Sequence, residues 1–225
     1  MNVWNSHARS AIPSDARNAA PSRTVVLLIR HGHTDAVGHC LVSRLPGVSL
    51  SAIGRAEVER LRAMLSHELI SAVYASPLER AMETAERIAH DRGVRVRACD
   101  GLNEVDFGEW TGKTFSELSG RDDWRRFNEQ RSSAPVPAGE AASTVQARIV
   151  RCLRQLHARH PGQTIAAVSH ADVIRCALLH YGNRSLDTWQ SIEVEPASVS
   201  AVSVGTTCGE VLYVNRRVDC HLLSQ

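Results

Sequence analysis

Lysine is almost missing from this chain: among 225 residues Lys113 stands alone, so the basic side of a near-balanced charge (26 Lys+Arg against 24 Asp+Glu, net +2) is arginine. No polybasic run occurs, which leaves no footprint for nucleic acid or an anionic membrane surface as partner. Long apolar stretches are absent too, and none reaches the length of a membrane span. Residues 1–23 lack the apolar core of a signal peptide and are expected to form a mostly disordered leader. The six cysteines (Cys40, Cys99, Cys152, Cys176, Cys208 and Cys220) include no C-x-x-C pair and no histidine at zinc-ligand spacing. Reduced thiols in a cytoplasmic protein are therefore expected, with no metal and no cofactor. What is present is arginine, whose planar fork matches phosphate oxygens two at a time.

From Thr24 onward the chain alternates between two periodicities. "TVVLLIR" (24–30) is a continuous apolar run of the kind buried on both faces of a parallel sheet. "SAIGRAEVERLRAML" (51–65) has apolar residues at helical spacing, "LISAVYASP" reads as a strand, and "LERAMETAERIAHD" as a helix facing the core with Ala81, Ala85 and Ile88. "VRVRACD" (94–100) alternates like a half-exposed strand. "STVQARIVRCLRQLHARH" is the longest helix, "TIAAVSH" a buried strand, "ADVIRCALLHYG" a helix ended by Gly182, and "SVSAVSVG" and "GEVLYVN" two closing strands. This alternation predicts an α/β fold, a three-layer αβα sandwich with a mostly parallel central sheet. Residues 24–225 are expected to form one catalytic domain, with a flap or small cap around 113–136.

In such sheets ligands bind beyond the carboxyl ends of the strands. Unusual polar residues gather at four of those ends: Arg30-His31, Ser76-Pro77 with Arg80 following, Leu102-Asn103-Glu104, and Ser169-His170. Two arginines, two histidines and a carboxylate in one crevice suit a phosphate monoester, with cationic forks, a histidine nucleophile and a proton donor.

The pieces "LIRHGHT", "ASPLERAMETA", "LNEVDFGEWTG", "PAGE" and "AAVSHADVI", in this order, resemble the histidine phosphatase superfamily, also called the phosphoglycerate mutase-like family. The resemblance implies that fold, with His31 as nucleophile, Arg30, Arg80 and His170 on the phosphate, and Glu104 as proton donor. Asp106 and Glu109 stay open as alternative donors. The Gly32 carbonyl is a candidate acceptor for one His31 nitrogen, a protonated His170 would add positive charge, and Glu140 of "PAGE" would hold the loop carrying the acid. His33, Thr34, Arg125 and Arg126 are candidate substrate contacts. Arg80 has a plainer alternative as a surface ion-pair partner of Glu79 or Glu83. Val37 replaces an asparagine common among relatives, which bears on the substrate pocket. Only a short segment separates "FGEWTGKT" from "PAGE", which favours a phosphatase over a mutase. The expected activity is metal-independent hydrolysis of a small phosphate monoester through phosphohistidine. The alternatives are a phosphomutase and a phosphate-ligand-binding module without turnover.

Overall fold

The computed structural model describes residues 22–217. Apart from residues 22 and 23, the expected leader lies outside the described residues, as do Cys220 and His221. Six strands form one sheet: β1 (Thr24–Arg30), β2 (Ile70–Ala75), β3 (Val96–Ala98), β4 (Thr164–Ser169), β5 (Val199–Val204) and β6 (Gly209–Arg216). Their spatial order is β3-β2-β4-β1-β5-β6. The first four are mutually parallel, and only β5 runs against the rest. β1 sits between β4 and β5, with Ile29 opposite both Val168 and Val199.

The apolar run of β1 follows from burial on both faces. Val26 and Leu28 point into one core, Leu27 and Ile29 into the other, and none is more than 2% exposed. Helices α1 (Ala52–Met64) and α2 (Glu79–Ala89) cover the Leu27 face, with Val58, Leu61, Ala81, Ala85 and Ile88 buried there. Helices α5 (Ala142–Arg159) and α6 (Ala171–Tyr181) cover the opposite face. The result is the three-layer α/β architecture expected. Ser51 starts α1 by accepting the Gly54 N–H at 3.0 Å.

One element differs from expectation, and the segment read as a flap or small cap takes a definite form. The strand read over 94–100 shrinks to three residues, because β3 is the outermost strand, paired on one side only, and the chain leaves it through a 3-10 turn at Asp100–Leu102. Within 113–136 the chain forms two short helices, α3 (Phe115–Ser119), opened by a Thr114/Glu117 capping box, and α4 (Asp122–Glu129). Phe127 of α4 is buried edge-on against Phe107 and Trp110, which fastens this segment to the body. Among the described residues no helix is long and apolar enough to cross a membrane.

Candidate active site

A cavity of about 350 Å³ opens at the carboxyl ends of the parallel strands, with Arg30, His31, Arg80 and Glu104 on its wall. β1 ends at Arg30 and His31 follows it; their backbone N–H groups donate to the Ser198 and Ser169 carbonyls respectively, both at 3.1 Å. The next residue, Gly32, rests on α1: a Cβ there would lie 2.8 Å from the Gly54 carbonyl oxygen. Gly54 in turn has the His33 carbonyl so close that its own Cβ would lie 2.0 Å from it. Both glycines are set by close approach, not by backbone angle.

This seating fixes the ring of His31, which is 5% exposed. Nδ1 lies 2.8 Å from the Gly32 carbonyl oxygen, and since a carbonyl only accepts, Nδ1 carries the proton and Nε2 presents its lone pair. Burial, then Arg30 and Arg80, push the His31 pKa well below the ordinary 6.5, so the ring is neutral near pH 7. His170 stands 5.1 Å away, ring centroid to centroid, at the N-terminus of α6. Its Nε2 is 2.8 Å from Ser76 Oγ, and its Nδ1 has no hydrogen-bond partner, with Glu104 Oε2 at 3.6 Å. The free site departs here from the expectation of a protonated His170: burial first, then His31 and Arg80, hold its pKa well below 6.5 as well.

The arginines are held by one edge each. Arg30 Nη1 donates to the Val194 carbonyl and Arg80 Nη2 to the Ser43 carbonyl, both at 2.8 Å. Arg30 Nε and Arg80 Nε and Nη1 are buried without partners. Arg80 is 1% exposed and donates to the Ser43 carbonyl, while Glu79 and Glu83 accept from the Gly47 and Leu50 backbone N–H groups, so the surface reading of it fails. Buried guanidinium N–H groups of this kind are costly unless an anion accepts from them.

Glu104 is the one carboxylate among the three candidates that lines the cavity. Asp106 instead accepts the Gly108 N–H at 3.0 Å, and Glu109 is exposed. Burial, then the Asp172 carboxylate, raise the Glu104 pKa to about 7 against the pull of Arg80 and Arg30. Its backbone carbonyl accepts from Arg44 Nε at 2.7 Å, and Glu140 binds both Arg44 (2.9 Å) and Arg148 (3.0 Å). Glu140 thus clamps the Glu104 segment through two arginines.

The remaining candidates divide. Thr34 and Val37 line the cavity. His33 turns away, with Nδ1 2.9 Å from Ser51 Oγ and its N–H on Glu57. Arg125 and Arg126 do not line the cavity. α4 turns Trp124, Phe127 and Asn128 inward at helical spacing, which leaves Arg125 exposed and paired with Asp122 at 2.7 Å, and Arg126 exposed beside it. Sequence reasoning missed Arg131, Asp172, Arg175 and Trp189, which complete the far wall. The Asp172–Arg175 pair at i, i+3 was a visible signal; Arg131 and Trp189 carried none. Among the described residues no group of three or more His, Cys, Asp or Glu side chains is arranged to hold a metal ion.

The histidine phosphatase superfamily (branch 1) matches residues 26–217. Phosphoserine phosphatase 1 of Hydrogenobacter thermophilus is 30% identical over 205 residues, covering 88% of this chain and 93% of that protein. The adenosylcobalamin/alpha-ribazole phosphatase of Escherichia coli is 26% identical over 194 residues, covering 84% and 95%. Among solved structures, Bacillus stearothermophilus YhfR superposes with a TM-score of 0.77 at 27% identity, over 87% of this chain and 98% of that one.

Proposed function

The chain belongs to the histidine phosphatase superfamily, as an enzyme of hydrolase or mutase type for small phosphorylated metabolites, and from that premise we propose that it is a phosphomonoesterase working through phosphohistidine at His31. The observation that carries this reading is the neutral His31, anchored through Nδ1 and offering Nε2 beside guanidinium N–H groups that have no other partner. Nε2 attacks phosphorus in line with the leaving oxygen. Arg30 and Arg80 donate to the equatorial phosphoryl oxygens as these gain charge. His170, neutral in the free site, is drawn toward its protonated form by the incoming dianion and adds a third donor.

Glu104, with a pKa of about 7, gives its proton to the leaving alkoxide. The carboxylate so formed takes a proton from the water that attacks the phosphohistidine. His31 departs as the leaving group, inorganic phosphate is released, and Glu104 is again protonated. The test is rapid quenching with labelled phosphomonoester. Label is expected on His31 in a bond stable to alkali and lost in acid, and absent from His31→Ala. Label persisting in that variant would overturn the assignment, and turnover appearing only with a bisphosphate primer would select the mutase.

A further inference from the structure

The segment that carries Glu104 runs past two thiols that the phosphoryl chemistry does not use. Cys99 lies between β3 and the 3-10 turn at Asp100–Leu102, and Cys152 lies in the middle of α5. Although 53 residues apart in sequence, their sulfurs stand 3.4 Å from each other as free thiols. Cys152 is 5% exposed, while Cys99 is partly exposed and so within reach of a small solute. Hydrogen bonding from Cys152, joined by the backbone N–H groups of Gly101 and Leu102, pulls the Cys99 thiol below its ordinary range against the effect of burial. The same bond, with burial, pushes Cys152 up. A half-exposed sulfur with thiolate character beside a sheltered second one is the arrangement in which the first is oxidised and the second resolves it. This strip of α5 also grips the Glu104 segment directly. Arg148, one turn before Cys152, donates through Nη1 to the Gly101 and Asn103 carbonyls at 3.1 and 2.8 Å. Gly101 lies so close to Cys152 that a Cβ there would fall 2.5 Å from its Cβ and 2.7 Å from its Sγ.

We propose that Cys99 and Cys152 are a site of reversible oxidation, closing to a disulfide under a hydroperoxide and thereby displacing the segment that carries Glu104. In the first step the Cys99 thiolate attacks a peroxide oxygen: an S–O bond forms, the O–O bond breaks, and the departing hydroxide takes up the proton that Cys99 had shed. In the second the Cys152 sulfur attacks the sulfenic sulfur: the S–S bond forms, the S–O bond breaks, and the leaving hydroxide takes the Cys152 proton. Two thiols and one hydrogen peroxide thus give one disulfide and two waters, and a dithiol restores the thiols by exchange. To reach bonding distance, about 2.05 Å, the sulfurs must close by more than an ångström. Cys152 is fixed in the packed core of α5, so the movement falls on Cys99, which follows an edge strand of only three residues. Gly101 is already in contact with Cys152 and leaves no slack, so the shift runs on toward Glu104. On the phosphomonoesterase reading, on which the effect on activity rests, a carboxyl displaced by about 1 Å protonates the leaving oxygen poorly.

The test treats the full chain, free of substrate, with a small excess of hydrogen peroxide and compares it with the reduced chain. Peptide mass mapping is expected to find Cys99 and Cys152 joined with the loss of two hydrogens, reversed by dithiothreitol. Amide hydrogen exchange over residues 100–106 is expected to change by roughly threefold or more. For the alkyl esters glycerol 3-phosphate and 3-phosphoglycerate, kcat should fall by about tenfold to a hundredfold. First-turnover release of nitrophenol from 4-nitrophenyl phosphate, which needs little protonation, should change by less than about twofold. Cys152→Ser and Cys99→Ser should keep their activity through the same treatment; if the buried Cys152 variant does not fold, the Cys99 variant decides. Oxygen added to Cys99 without a cross-link would overturn the pair, and a cross-link that leaves exchange over 100–106 unchanged would overturn its hold on the Glu104 segment. Loss of activity that persists in both serine variants would trace the effect to another group, such as Cys40 on the cavity wall, and overturn the link to the pair. No turnover of any of the three esters by the reduced chain would overturn the phosphatase alone, because cross-link and exchange are read without substrate.

Discussion

In the proposed cycle Glu104 holds a proton at the start and a charge in the middle, and its surroundings set both. Burial and Asp172 raise it while Arg80 and Arg30 lower it, and the balance rests at about 7. Glu104→Gln keeps the shape and removes the proton. Turnover of alkyl phosphates should fall by about 10²–10⁴, whereas 4-nitrophenyl phosphate, whose leaving group needs little help, should give a burst of nitrophenol followed by slow release of phosphate. Equal losses on both substrates without a burst would move the role to Asp106 or Glu109. The same group is linked to folding. Its pKa is raised on folding, so the stability it brings is present in full below the ordinary 4.5 and is lost as pH rises through about 7. Denaturation in phosphate-free buffer should show the glutamine variant gaining on the natural chain by on the order of 3 kcal/mol between pH 4 and pH 8. Of the site's residues, those at strand ends were legible, because an apolar run ending abruptly in Arg30-His31 or Ser169-His170 announces where the sheet stops. Arg125 and Arg126 were misread because their direction depends on the phase of α4, which "DDWRRF" does not reveal.

At the scale of elements, the contact that positions the chemistry is the meeting of the β1–α1 loop with the first turn of α1. Replacing an exposed helical glycine by alanine ordinarily stabilises a helix by about 1 kcal/mol. Gly54 should reverse that sign, because its new Cβ would fall 2.0 Å from the His33 carbonyl oxygen, and backbone must move. Gly54→Ala is expected to cost about 1–3 kcal/mol by denaturant midpoint and, through displacement of His31, to lower kcat as well. Gly120→Ala, where nothing lies within 4 Å of the new carbon, should stay within about 0.5 kcal/mol and leave kcat alone. A stable, fully active Gly54→Ala would show that the loop seats itself some other way. Most elements were legible in sequence, since burial on both faces leaves a continuous apolar signature and α5 repeats its apolar positions over 18 residues. β3 was overread because "VRVRACD" continues past Ala98, which pairs with the last residue of β2, its only neighbour among the described residues.

For the molecule as a whole, Arg30 and Arg80 are burdens until an anion arrives. Replacing such a buried cation by an apolar side chain of similar volume is often neutral or stabilising. Arg80→Met should therefore melt at or above the temperature of the natural chain when free. The natural chain, at a hundred times the Kd for phosphate or vanadate, should gain about 2.7 kcal/mol, roughly 5–10 °C, and the variant should gain almost nothing. A variant that melts lower and still responds fully to vanadate would reduce Arg80 to a structural residue. The far wall was the least legible part of the site, since Arg131, Asp172 and Trp189 meet from three separate stretches and nothing local marks their meeting. The position of β1 has a consequence in time. β1, which leads into His31, is made well before both of its neighbours: β4 begins at residue 164, and β5, just past the Val194 and Ser198 carbonyls that hold Arg30, at residue 199. A nascent chain cut short before β5 docks would carry His31, Arg80, Glu104 and His170 and still lack the support of Arg30, so the end of β1 takes its final shape only after β5 has been made.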